Sequence, residues 1–274
     1  MVKRSFKSTR IATYLIIFSL FVFAGCGNRE NAAAPSDTTE SPEKRGEQIV
    51  AEYLKRDATP FRKIRVRFAI KIEGEPEKIY ELDTWRKQTL DATTTLTQIV
   101  RPADESDLAT LTTETVGQKT TVATYASSRD EFRETDTNKM FFGGITAGEL
   151  LGEWGKFAYR LIGEKDAGGG KAFEVEGKLK EGANSVVSRM IVLFRQDNYL
   201  PAELHLFDNN GREIRTYKVA EFKDDPSHPY AAMTEVDNPV YKAHIVIEIL
   251  NREFPATLDD SMFSREKLKQ IVRK

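Results

Sequence analysis

Few side chains in this sequence of 274 residues are spaced for chemistry. It holds one cysteine, Cys26, directly after Phe23-Ala24-Gly25. A lone thiol cannot close an internal disulfide. His205, His228 and His244 stand too far apart for any familiar metal spacing, and His205 and His244 fall in predicted strands, where a surface or packed imidazole is the ordinary reading. Neither Gly-x-Ser-x-Gly nor His-Glu-x-x-His occurs. Asp259-Asp260 resembles a carboxylate pair but precedes a predicted helix, where negative charge is favourable. Asp224-Asp225 reads as a solvated turn. Asp166-Ala167-Gly168-Gly169-Gly170 joins two predicted strands and lacks the Gly-Lys-Ser/Thr ending of a phosphate loop. No catalytic residue, metal site or cofactor follows, and the chain reads as a binding protein, not an enzyme.

Cys26 takes its meaning from what surrounds it. Lys3, Arg4, Lys7 and Arg10 precede the apolar run Tyr14–Val22, and Ala24 and Gly25 are small. This is a secretory signal over residues 1–25. Cysteine directly after Ala-Gly resembles a bacterial lipobox. That resemblance implies cleavage between Gly25 and Cys26, a diacylglyceryl thioether on Cys26, and acylation of the palmitate type. An ordinary signal peptide and an uncleaved anchor are the alternatives, although the apolar stretch is short for a span of ~20 residues. Loss of the four cations takes the net charge from −1 to −5, which argues against nucleic acid as a partner. Residues 26–42 form the lipidated cysteine and a polar tether without large apolar side chains, expected to be disordered. Such a tether spans roughly 20–25 Å. Gly27, not Asp, follows the cysteine, and this leans towards the periplasmic face of the outer membrane over the outer face of the inner membrane.

Residues 43–274 form the expected domain. Ile49, Val50, Tyr53 and Leu54 share a helical face, and Thr59-Pro60 ends that helix. The period then becomes 2. Ile64, Val66, Phe68, Ile70 and Ile72 alternate with Arg65, Arg67, Ala69 and Lys71. Further strands are predicted over 78–88, 93–101, 108–116, 119–126, 156–164, 171–180, 186–196, 199–207, 212–223 and 241–251. Asn210-Gly211 is a hairpin signal. Residues 127–139 read as a charged loop, and the segment holding Pro226, Pro229 and Pro239 as another. Thr146-x-x-Glu149 is a capping-box pattern that starts a short helix, either a lid or a plug for one end of the sheet. Ser264 caps a last helix, with Phe263 and Leu268 as its staple. The fold class is mainly β (α+β): about eleven strands in one continuous antiparallel sheet, curled into a barrel or half-barrel, with N-terminal, central and C-terminal helices.

One order of phrases carries a resemblance. Leu200-Pro201-Ala202-Glu203-Leu204 is followed by Asp208-Asn209-Asn210-Gly211, Lys218-Val219-Ala220-Glu221-Phe222, His244–Ile249, Leu258-Asp259-Asp260 and Met262-Phe263-Ser264 with Leu268. This resembles the bacterial outer-membrane lipoprotein-sorting family, relatives of the Lol carrier and receptor, over Ile64 to Lys274. The family's "trp…pro" phrase is replaced here by Tyr125-Ala126-Ser127-Ser128-Arg129. The resemblance implies an unclosed barrel of about eleven strands with helices over its open mouth and acyl chains on an apolar concave face. The implied ligand-binding set is Phe68, Ile70, Leu82, Leu96, Met190, Val192, Phe194, Leu204, Leu206, Ile247 and Ile249. The other reading is that these side chains fill a closed core, as in most small barrels. Implied partners are the membrane through the anchor, acyl chains of lipoproteins or lipids, and a component of an envelope transport system. On the same fold, a stress sensor or assembly scaffold is the alternative.

Overall fold

The computed structural model describes residues 40–103, 107–115, 118, 120–225 and 228–272. The signal, Cys26 and most of the tether lie outside the described residues. Thirteen strands form one antiparallel sheet. They are β1 (Phe61–Ile72), β2 (Lys78–Gln88), β3 (Ala92–Arg101), β4 (Leu108–Thr115), β5 (Thr121–Ala126), β6 (Glu131–Thr135), β7 (Phe157–Ala167), β8 (Gly170–Leu179), β9 (Arg189–Arg195), β10 (Pro201–Phe207), β11 (Glu213–Lys223), β12 (Tyr230–Asn238) and β13 (Ala243–Glu253). The spatial order is β6-β5-β4-β3-β2-β1-β13-β12-β11-β10-β9-β8-β7. The chain therefore starts at the centre, meanders out to one edge, crosses over, and meanders back from the far edge to pair β13 with β1. The edges β6 and β7 do not pair, so the barrel is unclosed.

The count is thirteen where eleven strands are expected, and both additions fall in segments whose composition reads as loop. In β6 only Phe132 turns towards the core, while Glu131, Arg133 and Glu134 are exposed. An edge strand needs backbone pairing on one side only, so its side chains show no apolar alternation. In β12 the inward positions include Thr234, Val236 and Asn238, which is weak patterning. Pro229 and Pro239 bracket this strand and do not interrupt it, in keeping with the rule that proline is tolerated at strand ends.

Three α-helices among the described residues complete the unit. In α1 (Pro42–Asp57), the Ser41 hydroxyl accepts from the Lys44 N–H at 3.2 Å, and proline sits in the first turn. The helix opens one residue before the expected start. It covers the free edge of β7, where the Glu47 carboxylate accepts the Tyr159 N–H at 2.9 Å. α2 (Ala147–Leu151) lies in the crossover between β6 and β7, followed by a 3-10 turn at Trp154–Lys156. α3 (Arg265–Val272) is capped by Ser264, whose Oγ accepts the Lys267 N–H at 3.1 Å. It packs Leu268 and Val272 against Leu96, Ala109 and Tyr125. Thr95 and Thr97, on either side of Leu96, face the opposite way, so α3 sits on the convex side. Helices over the open mouth are thus the case for α1 and α2 but not for α3.

Candidate functional site

Eight strands, β4 to β1 and β13 to β10, curl around one cavity of about 720 Å³, within the ~300–1,000 Å³ of ordinary ligand sites. Alternation assigns its wall. Ile64, Val66 and Phe68 of β1 point in, while Arg65 and Arg67 point out to Asp83, Glu81 and Glu248 on the convex face, at 2.7, 3.2 and 3.1 Å. Leu82 opposes Val66 in register, and on the other side Ile249 and Ile247 oppose Val66 and Phe68. Leu204, Tyr217 and Val219 continue the apolar wall through β10 and β11. Tyr53 and Leu54 of α1, and Leu150, Leu151 and Trp154 of the crossover, close over it. Towards β3 and β4 the lining becomes polar, with Thr84, Thr93, Thr95, Thr97 and Glu114. Burial raises the Glu114 carboxyl to about 7, against the opposing pull of Arg86.

The crossover is a plug fixed to the sheet. Thr146 and Glu149 form the expected capping box. The Glu149 carboxylate is used a second time. Arg215 of β11, 2% exposed, donates to both of its oxygens, Nε to Oε2 and Nη2 to Oε1, each at 2.5 Å. Arg215 Nη1 also donates to the Gly144 carbonyl at 2.8 Å, and the Tyr217 hydroxyl donates to Glu149 Oε2 at 2.8 Å. Burial and the neighbouring carboxylate push the Tyr217 hydroxyl well above its ordinary pKa. At the other end of the plug, Phe142 stacks at 4.6 Å from the Tyr80 ring and 5.3 Å from that of Phe68. Asn238 Nδ2 donates to the Gly143 carbonyl at 2.9 Å. Gly143 and Gly144 have positive φ and lie against Ile245 and Tyr241, so the chain turns there in a space that admits no Cβ.

The eleven residues named from sequence fall in four places. Phe68, Leu82, Leu204, Ile247 and Ile249 line the cavity. Met190, Val192, Phe194 and Leu206 also face inward, but they are buried with Ile49 and Val50 in a cluster that α1 seals. Ile70 is packed with Ile145 and Ile245 beneath the plug. Leu96 is on the convex face under α3. The interior is therefore filled on the β7–β9 side and at the plug end, and open between. Sequence reasoning missed Arg62, Arg86 and Arg252, which also line the cavity. The signal for two of them was present, since Arg62 is in phase with Ile64 and Arg86 with Leu82. Among the described residues no group of three or more metal-ligating side chains comes together. His205 and His244 each meet a surface carboxylate, Glu213 at 2.6 Å and Asp237 at 2.8 Å, and the His228 ring stacks on Phe254.

The fold is thus an open antiparallel sheet wrapped around a largely apolar cavity and plugged by its own crossover. The solved structures agree. A DUF1329 family protein from Desulfovibrio piger matches with a TM-score of 0.77 and 18% identity, over 84% of this chain and 100% of its own. A putative outer membrane lipoprotein-sorting protein domain from Vibrio parahaemolyticus matches at 0.75 and 16%, over 83% and 99%. A LolA superfamily protein from Nitrosomonas europaea matches at 0.67 and 13%, over 81% and 99%. At these identities the likeness is one of fold. Residues 91–270 match the model of a family described as "-like: Uncharacterized protein", and the chain belongs to that family. No curated protein matches it.

Proposed function

We propose that this chain is a lipid-anchored envelope protein that binds acyl chains of lipoproteins or lipids and takes part in their sorting or transfer to the outer membrane. The observation that carries this reading is the cavity, walled by Val66, Phe68, Leu82, Leu204, Ile247 and Ile249 and left open beside a filled core. Each methylene moved from water onto such a wall contributes ~0.8 kcal/mol, so a C16 chain binds without any polar contact. The proposed organisation is a signal over residues 1–25, a lipidated Cys26 with its tether, and the half-barrel. The anchor holds the half-barrel near a bilayer on the periplasmic side. The lipoprotein-sorting and LolA superfamily structures share its fold, which supports an envelope role.

The sealing of Met190, Val192, Phe194 and Leu206 under α1 favours a second reading, a stress sensor or assembly scaffold that carries no lipid. Native mass spectrometry of the full chain purified from a bacterial host separates the two. The transport reading expects bound lipid mass and uptake of a fluorescent fatty acid. Bare chain with no uptake would sink it. For the anchor, palmitate labelling is expected on the full chain and lost in Cys26→Ser. A Cys26→Ser form that still labels would overturn lipidation at this site.

A further inference from the structure

In β2, β3 and β4 the apolar side chains Trp85, Leu96, Ala109 and Leu111 turn to the convex face and pack with α3. Away from the plug, the concave positions of the same strands are polar. From β2 to β3, Thr84 opposes Thr97, Arg86 opposes Thr95 and Gln88 opposes Thr93. From β3 to β4, Thr97 opposes Thr110, Thr95 opposes Thr112 and Thr93 opposes Glu114. Side chains opposed in register share a face, so these residues make a polar lattice three strands wide and three positions deep.

Antiparallel sheets commonly leave a polar face to solvent. This face is different. None of the lattice residues is exposed, and Thr112 is buried. Thr84, Thr93, Thr95, Thr97 and Glu114 line the cavity together with the apolar wall of β1, β13 and β10. The Thr84 and Thr97 hydroxyls meet at 3.3 Å. A hydroxyl carries one proton and two lone pairs, so each keeps capacity for a ligand. Arg86 and Glu114 are the charged members and lie within electrostatic reach of each other. Arg86 Nη2 also donates to Gln88 Oε1 at 2.6 Å. An anionic headgroup would meet Glu114, and a cationic one would meet Arg86. The lattice suits an uncharged group that donates and accepts at several points. Its cross-strand spacing of ~4.5–5.5 Å is that of hydroxyls across a sugar ring.

We propose that Thr84, Thr93, Thr95, Thr97 and Glu114 form a subsite for the uncharged sugar headgroup of a glycolipid whose acyl chains lie on the apolar wall of the cavity. This rests on the acyl-binding reading above and names its ligand class. The two tryptophans supply the readout. Trp154 lines the cavity, whereas Trp85 packs with α3 on the opposite face. The full chain is kept in a polyoxyethylene detergent, which carries no sugar. It is titrated with glucosyl diacylglycerol, diacylglycerol or phosphatidylglycerol, all with the same brominated acyl chains, which quench a tryptophan they touch.

Glucosyl diacylglycerol is expected to quench at a roughly tenfold lower concentration than diacylglycerol, the effect of one or two hydrogen bonds beyond those made to water. Thr93→Val/Thr95→Val keeps the shape of both side chains and removes their hydroxyls, and it should bring the two curves together. Thr93→Ser/Thr95→Ser should keep part of the preference. The single variants serve where a double one does not fold. Equal quenching by the glucosyl lipid and diacylglycerol in the parent chain overturns the sugar subsite and leaves the acyl container standing. A preference that survives in the Val variants overturns the assignment to these threonines. Phosphatidylglycerol quenching at a lower concentration than the glucosyl lipid would make the favoured headgroup anionic and overturn the uncharged assignment. Absence of quenching by every lipid removes the container, and the sugar proposal falls with it. A dipalmitoylated peptide supplies the last arm. If it displaces the glucosyl lipid from the parent chain at tenfold lower concentration, and loses that advantage in the Val variants, the threonines hold peptide amides and the sugar assignment is overturned.

Discussion

At the scale of single residues, Glu114 shows what the cavity does to a charge. Its neighbours on the wall are threonines, and Arg86 is the nearby cation. Removal from water outweighs the arginine, so the folded carboxyl titrates at about 7 where an unperturbed one titrates at 4.5. The folded chain therefore holds a proton between those values that the unfolded chain has lost. Stability is greatest below about pH 4.5 as far as this group is concerned, falls as pH rises through the window, and levels off above about 7. The urea midpoint of the parent chain should be lower at pH 8 than at pH 5. In Glu114→Gln that part of the slope should vanish, and an unchanged slope would mean that Glu114 is solvated.

At the scale of elements, α1 depends on a glycine that its own propensity would reject. A Cβ on Gly46 would meet the Arg160 backbone of β7 at 2.5–2.7 Å. The close approach lets Glu47 reach the Tyr159 N–H and lets Ile49 and Val50 enter the core. Alanine for glycine gains about 1 kcal/mol inside an exposed helix. Here the obstacle is backbone, which cannot rotate away, so overpacking should cost at the upper end of ~1–3 kcal/mol. Gly46→Ala is expected to lower the urea midpoint, the opposite sign to an exposed helical glycine. A rise would show that α1 does not lie on β7 this closely.

At the scale of the molecule, the open sheet has two wings, and the crossover is the strut between them. It meets β1 and β2 through Phe142 and β11 through the Glu149–Arg215 pair. Removing one partner of a buried pair leaves the other charge uncompensated, at ~3–5 kcal/mol. Arg215→Met should destabilise the fold by about that amount in urea unfolding, because Glu149 would stay buried beside Tyr217. The double replacement Glu149→Leu/Arg215→Met should recover much of the loss. A single variant as stable as the parent would show that the plug is held by its aromatic contacts alone.

Much of this architecture was legible in the chain. The alternation in Ile64–Ile72, the Asn210-Gly211 turn, the Thr146–Glu149 capping box and the Ser264 cap are local, since each depends on residues within a few positions. Together with the helical face of Ile49, Val50, Tyr53 and Leu54 and the patterns of the other strands, they determined the mainly β class, eleven of the strands and all three helices. β6 and β12 escaped because an edge strand and a proline-flanked strand are decided by their ladder partners and not by their own pattern. Alternation also determined that Phe68 and Leu82 share one face with Arg62 and Arg86. It could not say which face would be concave, which is why Leu96 lies under α3. Nor could it separate the open wall at Ile247 and Leu204 from the sealed cluster at Val192 and Phe194. That depends on where α1 and the crossover come to rest, and only the packing of distant segments decides it.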